Sequence, residues 1–235
     1  MQIQKETERL IRLTRFGLVN CFLVLEEDGF TLVDAGLRYS ARDILAAAAQ
    51  FGAPIRRIVL THAHIDHVGS LDALYSSLPG VAVLIGAREA ALMAGDMSLW
   101  PGESGKRLLG FIHVNTKASR TLEDGERVGS LQAVYSPGHT PGHVAYYDTR
   151  DGTMIAGDAF TTQGGLLVAG AFKWTFPMPA FFSWNKTASA ESARKLRALN
   201  PTRLAVGHGK TLEDPLRAMD RAIEMAFQQC EKMVS

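Results

Sequence analysis

The chain has 235 residues, 46% of them hydrophobic and 21% charged, a composition ordinary for a globular protein with room for one substantial core. Lys+Arg 25 against Asp+Glu 24 leaves a formal charge of +1, so no field gathers nucleic acid or an anionic membrane surface. No apolar run reaches the roughly 20 residues of a bilayer span, and Lys173, Pro177 and Pro179 interrupt the nearest candidate, 164–184.

Met1 to Glu6 lacks the apolar core of a secretory signal, which sets the expectation of a cytoplasmic protein. Strands are predicted at Leu10–Leu13, Leu18–Leu25 and Phe30–Val33, with Asp28-Gly29 as the hairpin turn between the last two. A helix should begin near Ser40, with Asp43 helping to cap it. Ile44, Ala48 and Phe51 supply its apolar stripe, and Gly52 and Pro54 end it. Ile58-Val59-Leu60 reads as a buried strand, Ser70–Leu78 as a helix and Val81–Ile85 as another strand. Asp124-Gly125 and Asp151-Gly152 are further hairpin signals. A helix over Thr187–Leu199 precedes a strand at Leu204–Val206, and a last helix starts at Asp214-Pro215. Leu216, Met219, Ile223, Phe227 and Cys230 line one face of that helix. Cys21 and Cys230 are expected to be buried free thiols. The class is mixed α and β, and with no repeat or linker in view a single domain, 1–235, is expected.

Four polar clusters each follow a predicted strand. His62-Ala63-His64-Ile65-Asp66-His67 follows Ile58–Leu60, and His139 follows the strand around Leu131–Tyr135. Asp158 follows Met154-Ile155-Ala156-Gly157, and His208 follows Leu204–Val206. Loops leaving the C-terminal ends of strands can converge on one point. Their imidazoles and carboxylates suit zinc, iron or manganese, and no thiolate is among them. A lone histidine is more often a surface or satisfied core residue. Three histidines and an aspartate within six residues would repel when protonated and lack partners when buried, and metal coordination resolves both problems. Positions two apart in an extended loop share a side, so His62 and His64 can hold one ion, completed by His139. Asp66 and His67 can reach a second, completed by His208, and Asp158 can bridge the two, about 3.5–4 Å apart. His113, inside an apolar run, stays outside the set; His143 is a candidate for supporting the site or contacting substrate.

In order and spacing this set resembles the metallo-β-lactamase superfamily, on its glyoxalase II-like and lactonase-like side. Asn20, Asp34-Ala35-Gly36, Thr61, Ser136-Pro137-Gly138-His139-Thr140 and Gly207-His208-Gly209 add to the resemblance, which runs from Asn20 to His208. It implies a four-layer αββα sandwich and two divalent ions, zinc first, with iron or manganese as alternatives. His62, His64 and His139 would hold the first ion, Asp66, His67 and His208 the second, with Asp158 between them and Asp34 supporting from behind. It also implies a bridging hydroxide that attacks a carbonyl or phosphorus centre, with Asp66 taking and passing on the proton.

Departures from particular branches narrow the substrate. Only 27 residues follow His208, which argues against the glutathione-binding helical domain of full-length glyoxalase II. No tyrosine follows Tyr147, so the tyrosine often found in acyl-homoserine lactonases has no counterpart. The aromatic stretch from Phe172 to Trp184 would wall an apolar pocket through Trp174, Phe176, Phe182 and Trp184, form a lid, or serve as a homodimer contact. The expected partner is a small ester, thioester, lactone or related carbonyl compound. A mononuclear iron oxygenase of the persulfide dioxygenase type and a non-catalytic metal-binding protein are the alternatives.

Overall fold

Short turns make a meander of the first four strands, and helical crossovers make the next three parallel. The computed structural model describes residues 1–105, 107–174 and 178–232. Its contacts divide the chain into two compact units. The first comprises Met1–Asp96 and Gly110–Glu123, the second Met97–Leu109 and Asp124–Ser235.

In the first unit the elements are β1 (Gln2–Lys5), β2 (Leu10–Arg15), β3 (Val19–Glu26), β4 (Gly29–Val33), α1 (Ala41–Gln50), β5 (Ile55–Val59), α2 (Ile65–Val68), α3 (Leu71–Ser77), β6 (Ala82–Gly86), α4 (Ala87–Met93) and β7 (Arg120–Leu122). They form one seven-stranded sheet in sequence order. β1 to β4 pair antiparallel, and the Asp28-Gly29 turn sets Glu26 opposite Gly29 as expected. From β4 to β7 every pairing is parallel, each reached through a crossover that carries helix. Leu13, Leu23, Leu32, Ile58 and Val83 are wholly buried in this unit's core.

The second unit holds β8 (Arg127–Val128), β9 (Leu131–Tyr135), β10 (Val144–Asp148), β11 (Thr153–Ile155), β12 (Phe160–Thr161), β13 (Leu167–Val168), α5 (Met178–Phe182), α6 (Lys186–Ala198), β14 (Arg203–Ala205), β15 (Leu212–Glu213) and α7 (Leu216–Glu231). Its main sheet runs β15-β14-β11-β10-β9-β8, with β12 and β13 as a separate hairpin. Only the β11–β14 pair in that sheet is parallel, and it sets Ile155 opposite Ala205. Met154, Phe160, Leu196, Leu204 and Met219 form the core, and the Arg197–Asp220 ion pair ties α6 to α7.

Several expectations need correcting. Asp124-Gly125 turns no hairpin between its flanking strands. β7 pairs with β6 in the first unit, while β8 pairs with β9 in the second. Asp124 instead accepts hydrogen bonds from the Tyr135 amide and from Lys195. Asp43 does not cap α1. It ion-pairs with Arg15 at 2.5 Å, and the Ser40 side chain at the N-cap makes no capping bond. Pro215 rather than Asp214 occupies the N-cap of α7. Cys21 is a buried free thiol, whereas Cys230 is only half-buried. No helix among the described residues is long and apolar enough to cross a membrane.

Candidate metal centre

His62, His64, Asp66 and His67 belong to the first unit, where they occupy the crossover between the parallel strands β5 and β6. Asp34, the first residue past β4, anchors that crossover. Its backbone amide bonds Val59 O at 2.9 Å, and it sits in the left-handed region at φ 64, a conformation Asp tolerates better than most residues. Its carboxylate accepts three hydrogen bonds, each at 2.8 Å: the Thr61 amide on Oδ1, and the Thr61 hydroxyl and His67 Nδ1 on Oδ2. Thr61 Oγ1 also lies 2.9 Å from His62 Nδ1.

These contacts fix where the protons sit. An ionised carboxylate only accepts, so His67 carries its proton on Nδ1 and presents the lone pair of Nε2. The single Thr61 hydroxyl proton goes to Asp34, so Thr61 Oγ1 accepts from His62 Nδ1–H, and His62 likewise presents Nε2. One buried carboxylate thereby orients two imidazoles for coordination, the first directly and the second through a hydroxyl.

His62 and His64 offer ring nitrogens within 4.8 Å of each other, and so do His62 and His67. Asp66 Oδ2 lies 3.8 Å from His67 Nε2, and its side chain is 22% exposed, against 0% for His67. The loop is held from outside the ligand set as well. Glu89, fully buried in the first turn of α4, accepts the Ala63 amide at 2.9 Å, between His62 and His64. The Ile65 amide bonds Gly110 O, and the Phe111 ring packs edge-on against His64 with centroids 4.7 Å apart. Sequence reasoning missed Glu89. Its one signal is a carboxylate in a helical turn that follows a buried strand without a break. Burial, reinforced by the Asp34 charge, pushes the Cys21 thiol far above its ordinary range, so this sulfur stays protonated.

His139, Asp158 and His208 belong to the second unit. Asp158 and His208 each lie three residues beyond the paired residues Ile155 and Ala205, so the parallel ladder sets them side by side. Asp158 Oδ2 is 3.1 Å from His208 Nε2 and 3.4 Å from His139 Nε2. Gly138 makes the His139 loop fit. Its φ is 140, and a Cβ there would lie 2.3 Å from the Ser189 backbone nitrogen. Amides of Trp184 and Asn185 bond the carbonyls of His139 and Gly138 at 2.9 Å, and Asn185 Oδ1 caps α6 through the Ala188 amide.

The expected pocket residues part company. Trp174 is 88% exposed and Phe182 41%, whereas Trp184 is buried, with its indole edge against Gly105. Phe176 lies outside the described residues. His143 has no exposed surface. Its Nδ1 meets Ser136 Oγ at 2.9 Å, and its Nε2 accepts the Asp158 amide at 3.1 Å. Both ring nitrogens thus meet protein atoms.

The family model of the metallo-beta-lactamase superfamily matches residues 14–208, which span all seven expected ligands. The Bacillus subtilis protein YobT is 49% identical over 210 residues, covering 88% of this chain and 90% of its own. The hydroxyacylglutathione hydrolase of Gloeobacter violaceus is 29% identical over 149 residues, covering 62% of this chain and 50% of its own. Among solved structures, TTHA1623 in a di-iron-bound form is similar at TM-score 0.65 and 28% identity, covering 87% of this chain and 94% of its own.

Proposed function

Because the chain belongs to the metallo-β-lactamase superfamily, we propose that it is a metallo-hydrolase in which one functional domain, 1–235, holds two divalent ions to cleave a small carbonyl substrate. His62, His64 and His139 would hold the first ion, and Asp66, His67 and His208 the second, with Asp158 shared. The observation that carries this reading is the Asp34 hub, whose hydrogen bonds occupy Nδ1 of both His62 and His67 and leave Nε2 of each as the lone-pair donor. Five imidazoles and two carboxylates, with no thiolate, form a donor set that suits zinc first and iron or manganese next.

Bound ions of this kind supply Lewis acidity and lower the pKa of water from about 15.7 to about 7. The chain's own residues do the rest. Asp66, whose side chain is 22% exposed beside the buried His67, would take the proton and return it to the leaving group. Asp158 Oδ2, 3.4 Å from His139 Nε2 and 3.1 Å from His208 Nε2, would serve as the shared ligand. Esters, thioesters and lactones are the substrate classes such chemistry serves, and likeness to a hydroxyacylglutathione hydrolase supports including thioesters.

Iron in place of zinc is the second reading, favoured by the di-iron form of the similar TTHA1623. Elemental analysis of protein purified without added metal tests both. About two ions per chain, together with hydrolysis in a panel of esters, thioesters and lactones, is expected. One iron per chain with oxygen uptake on a persulfide would overturn the two-metal hydrolase.

A further inference from the structure

We propose that His143 is a positioning residue for Asp158, holding that residue's main-chain amide from the base of the loop that carries His139. The inference rests on the reading of Asp158 as a metal ligand.

The backbone around Asp158 explains why it needs an outside acceptor. β11 and the residue after it complete their pairing when the Ala156 amide bonds Ala205 O and the Gly207 amide bonds Gly157 O, both at 2.8 Å. The chain then turns tightly, closed by the Ala159 amide on Ala156 O at 3.1 Å, with Gly157 at φ 50. Asp158 occupies the third position of that turn, whose amide points away from the closing bond. In this interior an amide left without an acceptor is costly, about 1–3 kcal/mol in general. His143 Nε2 fills the position at 3.1 Å.

Accepting through Nε2 sets the rest of the ring. The imidazole is neutral, its proton is on Nδ1, and that proton is donated to Ser136 Oγ at 2.9 Å. The Ser136 amide in turn donates to His143 O at 2.8 Å, so the two residues are joined twice across the base of loop 137–142. His139 stands at the middle of that loop. One ring of fixed width therefore spans from the His139 loop to the Asp158 turn. That span links the loop and the turn whose side chains stand 3.4 Å apart at His139 Nε2 and Asp158 Oδ2. With no exposed surface, His143 acts through Asp158 and not on substrate.

Two amide variants separate this role from simple packing. In His143→Gln the side-chain carbonyl reaches the place of Nε2 and can accept the Asp158 amide. In His143→Asn the amide reaches only the place of Nδ1, so it can meet Ser136 but not Asp158. Zinc affinity, measured by competition with a chromophoric chelator, should fall about 10–100-fold in the Asn variant and recover most of that loss in the Gln variant. Unfolding of the metal-free proteins is measured alongside. A merely structural histidine would lower the stability of both variants and shift zinc affinity equally in each, and that result overturns the proposal. Nitrogen-15 NMR of the wild-type imidazoles needs no variant. A proton on Nδ1 of His143 is expected, and one on Nε2 overturns the proposal. Wild-type protein that binds no zinc, iron or manganese overturns the metal reading itself, together with this inference. Wild-type binding with unchanged variants overturns this inference alone.

Discussion

Replacing Asp34 with asparagine exchanges one oxygen for an amide nitrogen and leaves size and backbone nearly untouched, since Asn adopts a φ of 64 as readily as Asp. The consequence follows from the three bonds that Asp34 accepts. The Thr61 amide still needs an acceptor, so the surviving carbonyl oxygen must take the place of Oδ1. The new NH2 group then stands where Oδ2 met both the Thr61 hydroxyl and His67 Nδ1. As a donor, it requires His67 Nδ1 to accept, which moves that ring's proton to Nε2. The Thr61 hydroxyl, now accepting from the amide, turns its own proton toward His62 Nδ1 and drives the same exchange there. A single substitution thereby places protons on two nitrogens that are proposed to bind metal. Loss of such an orienting partner typically weakens metal binding 10–100-fold, about 1.4–2.7 kcal/mol. With two rings affected, the Asp34→Asn variant should fall at the upper end of that range. Chelator competition measures the affinity, and nitrogen-15 spectra of the metal-free protein report the tautomers. Zinc binding as tight as in the wild type, or spectra that keep both protons on Nδ1, would refute the argument.

Other outcomes can be checked by standard means. Gly138→Ala forces a Cβ to 2.3 Å from the Ser189 backbone at φ 140, whereas Gly17→Ala, at φ 70 with nothing within 4 Å, adds only left-handed strain. In urea titrations the second should lose about 1–2 kcal/mol and the first clearly more; equal losses would remove the steric argument for Gly138. Burial tends to raise the Asp72 carboxyl, but hydrogen bonds from Thr116 and Asn115 outweigh it and hold the pKa below the ordinary value. Its stabilising contribution is therefore complete above the unfolded-state pKa of about 3.9 and is lost as pH falls through the lower folded value. The stability gap between wild type and Asp72→Asn should shrink as pH is lowered from about 5 to about 3, and a gap that widens would contradict the assignment. Native protein should expose one thiol to a disulfide reagent at mildly alkaline pH and two after denaturation, because only Cys230 has access to solvent while Cys21 is buried and held protonated. Rapid modification of both in the native state would refute it.

The positions of the candidate ligands were legible because each follows a short apolar run read as a strand, and the structure has strands at Ile55–Val59, Leu131–Tyr135, Thr153–Ile155 and Arg203–Ala205. Asp34 was legible as part of Asp34-Ala35-Gly36, but its service to His67 directly and to His62 through Thr61 depends on partners 27 and 33 residues away. Glu89 left almost no trace for the same reason, since nothing near it in sequence shows that it will accept the Ala63 amide. Asp124-Gly125 misled because its local turn chemistry is sound, while the strands on either side join different sheets. Asp43 misled in the opposite way. A position suited to capping was taken over by Arg15, an ion-pair partner 28 residues earlier. β1 went unseen because all four of its residues are exposed, leaving no apolar face for alternation to reveal. His143 was the ambiguous case. Its local sequence does not show that the ring is buried or that it accepts the Asp158 amide.

The parallel register of β11 and β14 has a bearing on how such a protein can change its specificity. Asp158 and His208 are 50 positions apart, yet their spacing is set by the ladder that pairs Ile155 with Ala205 and not by the chain between them. That intervening chain carries β12, β13, α5 and α6 and the exposed rings of Trp174 and Phe181. Doubling the length of a flexible loop costs only about 0.6 kcal/mol in closure entropy. The exposed turn Gly164-Gly165 between β12 and β13 can accordingly be lengthened while Asp158 and His208 keep their places, whereas Leu167, Val168 and Trp184 are buried and the Trp184 amide holds the His139 loop. The ladder, and not the intervening chain, is therefore the part that a change in this stretch must leave intact.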